Sequence, residues 1–395
     1  MAAAAASRPT TADLRALLAP HQPPCISLYE PTHRSYPKSS QEDPVRYRNM
    51  LQRAEKSLRE RYPSRLIRPV LEKLERFATD TDFWIQAGAG LAVFGSADDL
   101  KVFKLEQPVP ELLSVADRFQ VKPLIRSVQW DGRYQLLALT LAEARLYEGT
   151  RDTLEPVDLG DAPLTIAAAL GPELTEPYTK VTRGYGSGAR GNSPMHHGHG
   201  DRKDERPLDR ERFFRAIDRE ILQRASRISG LPLVLASLPE HQTHLRTLSH
   251  NPFLLATGLA VNPGALSLGE LRQAAWRVIE PYYEERLQAL LDAYGEARGH
   301  GRASERREEI AAALAQRRVG TLLLEADRRI PGSLDAEQGT VSYPQGEQPG
   351  AAMDAGASDV LDDLAEAALR TGAEVIVLNA ERMPSRSGAA AVFRY

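Results

Sequence analysis

The chain has almost no cysteine: Cys25 is the single one. That excludes a framework of internal disulfides and fits a reducing compartment. No activating group lies near Cys25 in sequence, and its neighbours Pro24 and Ile26 mark the buried start of a strand. Long apolar runs are also missing, and none approaches the ~20 residues that a membrane helix needs. The opening MAAAAASRPTTADLRALL lacks the basic-then-apolar order of a secretory signal, so a cytoplasmic protein without a membrane partner is expected. Net charge is nearly absent at −3, so any affinity for nucleic acid must come from a local patch. Missing too are G-x-S-x-G, H-E-x-x-H, Walker A and C-x-x-C motifs. No catalytic residue, metal site or cofactor is expected on these grounds.

What is present is ordinary globular material. The 395 residues are 42% apolar and 26% charged, enough for real cores in two to four domains. Helical and strand patterns alternate, which predicts an α/β layered architecture, α+β overall. Three segments are expected, at 1–128, 129–258 and 259–395.

In the first segment, TADLRALLA predicts a helix capped by Thr11, with Leu14, Leu17 and Leu18 on one face. CISLYEP reads as a strand stopped by Pro31, and LAVFGSADDLKVFKL as a hairpin. A helix is predicted from Pro44 through VRYRNMLQRAEKSLRERY. In the second segment, YQLLALTLAEARLYEG gives two strands, TLEPVDL follows with alternation, and LPLVLASL is a buried strand. DRERFFRAIDREILQRAS is an amphipathic helix with Phe213, Phe214, Ile217, Ile221 and Leu222 on its apolar stripe. In the third, a long helix from SLGELRQ is expected to break or kink at Pro281. REEIAAALAQRRV and DVLDDLAEAALRTG are helices, the latter capped by Gly372. GTLLLEAD, AEVIVLN and AAAVFRY are strands, and residues 330–357 a polar loop.

Two stretches stand out chemically. Between Val45 and Arg76 there are ten Lys or Arg against four Glu. Arg46, Arg48, Arg53 and Lys56 are the candidates for a phosphate-facing surface. A solvated helix face laced by i,i+4 pairs such as Glu55–Arg59 and Glu72–Arg76 explains the same charges. The second stretch is 184–205, GYGSGARGNSPMHHGHGDRKDE, too polar and glycine-rich to build a core. Gly186–Gly191 formally matches G-x-G-x-x-G, but no helix opens on it. His196, His197 and His199 lack the fixed partners of a zinc site. The alternatives are a solvated linker and an arm that orders on a large partner. In the second case Arg190, Arg202, Lys203 and Arg206 neutralise phosphates, His196, His197 and His199 stack on bases, and Gly198 and Gly200 allow close approach.

The order of the pieces resembles a known family. LRALLAPHQPPCISLYEPTHR, the hairpin with DRFQVKPLI, and LLALTLAEARLYEGTRDTLEPV are similar to segments of the archaeo-eukaryotic class-1 peptide-chain release factors. That group includes Pelota and the bacterial hibernation factor Balon. The stretch 184–205 followed by Arg212-Phe213-Phe214-Arg215 resembles the family's loop and the helix behind it. EEIAAALAQRRVGTLLLEAD, LAEAALRTGAEVIVLNAE and GAAAVFRY resemble its C-terminal domain, an α/β sandwich like those of kink-turn-binding ribosomal proteins. The family's Gly-Gly-Gln is missing, with His197-Gly198-His199-Gly200 its nearest analogue. Its Asn-Ile-Lys-Ser is missing too, near Gln41–Arg46.

The resemblance implies a tRNA-shaped, ribosome A-site factor without its two chemical tips. It would bind ribosomal RNA of both subunits, with elongation factor Tu or another translation GTPase as partner. A non-catalytic role in hibernation or stress protection is expected. A rescue factor hydrolysing peptidyl-tRNA with the His-rich loop, and an RNA-binding protein acting away from ribosomes, are the alternatives.

Overall fold

The computed structural model describes residues 9–33, 38–85, 88–129, 132–171, 201–344 and 358–395. By packing, the chain forms two compact units, 1–131 joined with 287–395, and 132–286. The architecture is mixed α/β, as the alternating patterns predict.

The chain opens with α1 (Thr11–Leu17), which buries Leu14 and Leu17. Its cap is Thr10 and not the expected Thr11. Thr10 Oγ1 accepts from the Asp13 amide at 3.2 Å, and Asp13 accepts from the Thr10 amide at 3.0 Å. The spacing Thr-x-x-Asp permits this reciprocal box only from position 10. β1 (Cys25–Pro31) follows, then α2 (Lys38–Gln41), α3 (Asp43–Arg61), α4 (Ser64–Ala78) and α5 (Thr81–Ile85). The expected hairpin is β2 (Gly90–Gly95) and β3 (Leu100–Leu105), and β4 (Leu112–Ala116) and α6 (Lys122–Gln129) complete the segment. The four strands form an antiparallel sheet in the order β3-β2-β1-β4.

Strand β1 is buried from Cys25 to Glu30 because both faces of the sheet are covered. Ile26 and Leu28 point to a cluster with Tyr47, Leu58, Val70, Leu74 and Trp84 from α3, α4 and α5. Cys25 and Tyr29 point the other way, to α1, α6 and residues of the C-terminal segment.

The unit 132–286 is built on a sheet in the order β7-β6-β5-β8-β9. Its strands are β5 (Tyr134–Leu139), β6 (Ala144–Gly149), β7 (Leu154–Pro156), β8 (Leu233–Ser237) and β9 (Leu259–Ala260). β5 pairs antiparallel with β6 and parallel with β8. One face carries α7 (Ile166–Leu170), α8 (Asp201–Ile221) and α10 (Pro239–Leu248), while the short α9 (Arg227–Ser229), which buries no residue, continues the chain beyond α8. The other face packs Leu271, Ala275 and Ile279 of α11 (Leu268–Gly299). That helix runs through Pro281 with no interruption. Ile279 and Leu287 are buried on either side, and their burial outweighs the ~3 kcal/mol of a helix-interior proline.

The C-terminal strands are β10 (Ala303–Ser304), β11 (Val319–Glu325), β14 (Glu374–Leu378) and β15 (Ala389–Phe393), ordered β10-β15-β11-β14. Leu323, Ile376 and Ala390 face Leu287 and Tyr294 of α11. Leu322, Leu324, Val375 and Ala391 face α12 (Arg307–Ala315) and α13 (Val360–Arg370). The expected loop from 330 holds a hairpin, β12 (Ser333–Asp335) with β13 (Thr340–Ser342). Asp335 accepts from the amides of Glu337 and Gln338 at 3.0 and 2.9 Å, and Gly339 takes φ +67° to close the turn.

A buried ionic joint links the first and third segments. Asp362 Oδ1 accepts from the amides of Val121 and Lys122 at 2.8 and 2.6 Å, at the start of α6. Lys122 Nζ lies 3.3 Å from Asp359, both side chains almost wholly buried.

Candidate nucleic-acid interface

The basic stretch folds as α3 and α4, and their apolar stripes pin them to the sheet. Tyr47, Met50, Leu51, Ala54 and Leu58 are the buried face of α3. The charges are thereby turned outward, but they are not equivalent. Arg46 is partly buried, donates to the Pro31 carbonyl and lies 3.8 Å from Asp43, so its guanidinium is committed to the fold. Arg53 pairs with Glu111 at 2.5 Å. Arg48 is exposed and donates through Nε to the Pro44 carbonyl at 3.1 Å, leaving its other donors outward. Lys56 is exposed and has no partner among the described residues. Arg48 and Lys56 are two turns apart and share one face. The Glu55–Arg59 pair forms at 2.5 Å, whereas Glu72 pairs with Arg68 at 2.8 Å and not with Arg76.

Beneath this helix lies a polar cluster that sequence reasoning missed. Glu30 ends the buried part of β1, and neither carboxylate oxygen has a hydrogen-bond partner among the described residues. Burial pushes its carboxyl up to about 8; Arg46 opposes this, while Asp43 and Glu111 add to it. Asp43 is fully buried and accepts from the backbone amide of His33 at 2.8 Å, with the His33 ring nitrogen Nδ1 at 2.7 Å. The only sequence signal was a charged residue inside an apolar strand, which alternation had no reason to place inside.

In the unit 132–286, Phe213, Phe214, Ile217 and Ile221 of α8 are fully buried, as the stripe predicts, while Leu222 is half-buried where the helix widens into a π-turn. α7 is capped by Thr165, whose Oγ1 accepts from the Ala168 amide at 3.2 Å, and packs against α8. The stretch between α7 and α8 is therefore attached at both ends to one hydrophobic cluster. Arg190, His196, His197, Gly198, His199 and Gly200 lie outside the described residues. Arg202 and Lys203 fall on the first turn of α8, where the backbone alone is described.

α8 also meets two imidazoles that no sequence motif singles out. The rings of His241 and His244 on α10 each lie 5.8 Å from Phe214. Burial, with Arg210 and His244 nearby, holds His241 below the ordinary imidazole value; Glu240 opposes. His241 is thus neutral at neutral pH. His241 Nδ1, His244 Nε2 and Arg210 Nε are buried without a hydrogen-bond partner among the described residues. No group of three or more metal-ligating side chains occurs among the described residues, and no helix there is long and apolar enough to cross a membrane.

Residues 133–318 match the profile of bacterial archaeo-eukaryotic release factor family 3. No curated protein matches the chain. Among solved structures, an archaeal translation termination factor, aRF1, is 16% identical, covering 97% of this chain and 96% of its own, with a TM-score of 0.25. A ribosome-bound archaeal Pelota, described together with ABCE1, is 13% identical over 75% and 72%, with a TM-score of 0.39. Dom34 of S. cerevisiae, a termination-like factor interacting with Hbs1, is 11% identical over 66% and 63%, with a TM-score of 0.35. The profile match belongs to residues 133–318, which are similar to the bacterial archaeo-eukaryotic release factor family over just under half of the chain.

Proposed function

We propose that this release-factor-like chain binds the ribosomal A site and occupies it without cleaving peptidyl-tRNA, as a hibernation or stress-protection factor. One observation carries the reading: a segment that matches the family profile contains no Gly-Gly-Gln. Without that tripeptide the chain lacks the glutamine that the family aims at the ester. The stretch 184–205 then serves as an arm that lies against ribosomal RNA through Arg190, Arg202, Lys203 and the three histidines. The exposed row of Arg48 and Lys56 supports a second contact, with small-subunit phosphates. Arg46 and Arg53 contribute less there, since both guanidiniums are engaged within the fold. The three sequence segments are proposed as the factor's three modules, and a translation GTPase such as elongation factor Tu as its delivery partner.

The test is co-sedimentation of the full chain with 70S ribosomes at low and physiological salt, together with release of labelled peptide from stalled complexes. Salt-sensitive sedimentation without release is the expected outcome. Peptide release that is lost in His197→Ala or His199→Ala would establish the rescue-hydrolase alternative instead. Binding to short RNAs without any ribosome association would leave only the ribosome-independent reading.

A further inference from the structure

A cleft of about 530 Å³ opens in the C-terminal segment, with Arg298, Glu305, Arg306, Arg307, Glu308 and Arg386 in its walls. Four guanidiniums meet there against two carboxylates. Arg298 comes from the last turn of α11, Arg306 and Arg307 from the start of α12, and Arg386 from the turn before β15. Both carboxylates are already engaged. Glu305 pairs with Arg298 at 3.3 Å, and Glu308 accepts from the Tyr343 hydroxyl at 2.9 Å. The first turn of α12 has no side-chain cap, but Glu308 and Glu309 lie in it and offset the positive end of the helix, so the cationic excess of the cleft rests on the arginines.

The cleft wall is fixed before any ligand arrives. Arg307 donates to the Tyr343 hydroxyl at 3.0 Å and to the Ser387 carbonyl at 2.8 Å, and its guanidinium stacks 5.6 Å over the Tyr343 ring. The 385–387 turn is held from three further sides. Arg328 donates to the Arg386 carbonyl at 2.7 Å, and the Ser385 and Ser387 hydroxyls donate to the Ala389 carbonyl at 2.7 and 2.8 Å. The Arg386 side chain itself is exposed and has no partner among the described residues. A rigid turn thus presents a fork of unused donors across from Arg306, which spends one donor on Glu309 at 3.0 Å. Tyr343 at the rim is 41% exposed, an aromatic face for an unstacked base.

We infer that this cleft, with Arg306 and Arg386 as its outward forks and Tyr343 at its rim, binds the phosphodiester backbone of single-stranded RNA. The inference goes beyond the A-site reading, which names none of these residues. Isolated RNA is therefore used, so that failure of ribosome sedimentation and failure of this site are separate results. Binding of fluorescein-labelled oligouridine to the full chain is followed by anisotropy across a salt series. Arg306→Ala with Arg386→Ala should weaken binding roughly tenfold at low salt and take about 1.4 from the slope of log K against log salt, ~0.7 for each lost phosphate contact. Should the double variant lose its parental circular dichroism, Arg386→Glu carries the test, because that side chain anchors nothing in the fold. Unchanged affinity and slope would overturn the site. Full displacement of oligouridine by inorganic phosphate would assign a free-anion pocket, and binding of polyglutamate in place of oligouridine an acidic-peptide pocket. Either result overturns the RNA assignment.

Discussion

Lys122→Met should unlock the joint between the first and third segments. The Lys122 ammonium and the Asp359 carboxylate are 3% and 2% exposed at 3.3 Å separation, and the ammonium also donates to the Arg328 carbonyl. Methionine keeps the length of the side chain and most of its packing. Asp359 keeps its amide donors, Ile330 at 2.9 Å and Leu361 at 3.1 Å, but loses the cation paired with it. Removing one partner of a buried pair costs about 3–5 kcal/mol, mainly because the other charge is stranded. Against a typical total of ~5–15 kcal/mol this is a large share. In urea, with a slope of ~1–3 kcal/mol/M, it lowers the midpoint by about 1–5 M. Equilibrium unfolding followed by circular dichroism should show the loss in the transition of 1–131 with 287–395. Adding Asp359→Asn removes the stranded charge and should recover most of it. A single variant within ~0.5 kcal/mol of the parent, or a double variant no more stable than the single one, refutes the reasoning.

Glu30→Gln keeps the shape of a buried side chain and removes its titration. The folded carboxyl sits at about 8 against an ordinary 4.5, so the native state holds a proton that the unfolded state releases between those values. Its contribution to stability is full below pH 4.5 and is lost as pH rises through about 8. The variant should be flatter across that window and ~1–4 kcal/mol more stable at its upper end, and parallel curves from urea melts would refute this. Lys56→Glu with Arg48→Glu should weaken ribosome sedimentation and take ~0.7–0.9 from the salt slope per lost phosphate contact; unaltered sedimentation would show that α3 faces nothing anionic. Phe214→Ala should cost about 3–5 kcal/mol in the unit 132–286. It should also let the His241 titration, read by proton NMR of the ring, rise toward the ordinary 6.5, and an unmoved titration would deny that Phe214 keeps water from that ring.

Periodicity and continuous apolar runs were enough to find most of the main elements, because the amphipathic helices bury one face and the core strands bury both. The α8 stripe and the strands CISLYEP, LPLVLASL and AEVIVLN have no other way to hide their apolar side chains. Failures came where a local pattern met a tertiary neighbour. Pro281 sits in an unbroken helix because its flanks are buried, and a hairpin formed in the expected 330–357 loop because Asp335 and Gly339 supply a turn. The candidate interface was legible only as composition. Sequence counted the cations of α3, but the fold decided that Arg46 and Arg53 are engaged while Arg48 and Lys56 face outward.

By itself the sequence determined most of the secondary structure, the α/β class, the family likeness and the lack of Gly-Gly-Gln, all properties of residues close together along the chain. The tertiary structure alone decided which charges are buried. Asp362 reaches amides some 240 positions away, Glu30 loses water between a sheet and a helix, and four arginines from three separate elements meet in one cleft. Burial and electrostatic pairing depend on distance in space, and sequence order does not encode that distance until the chain has folded.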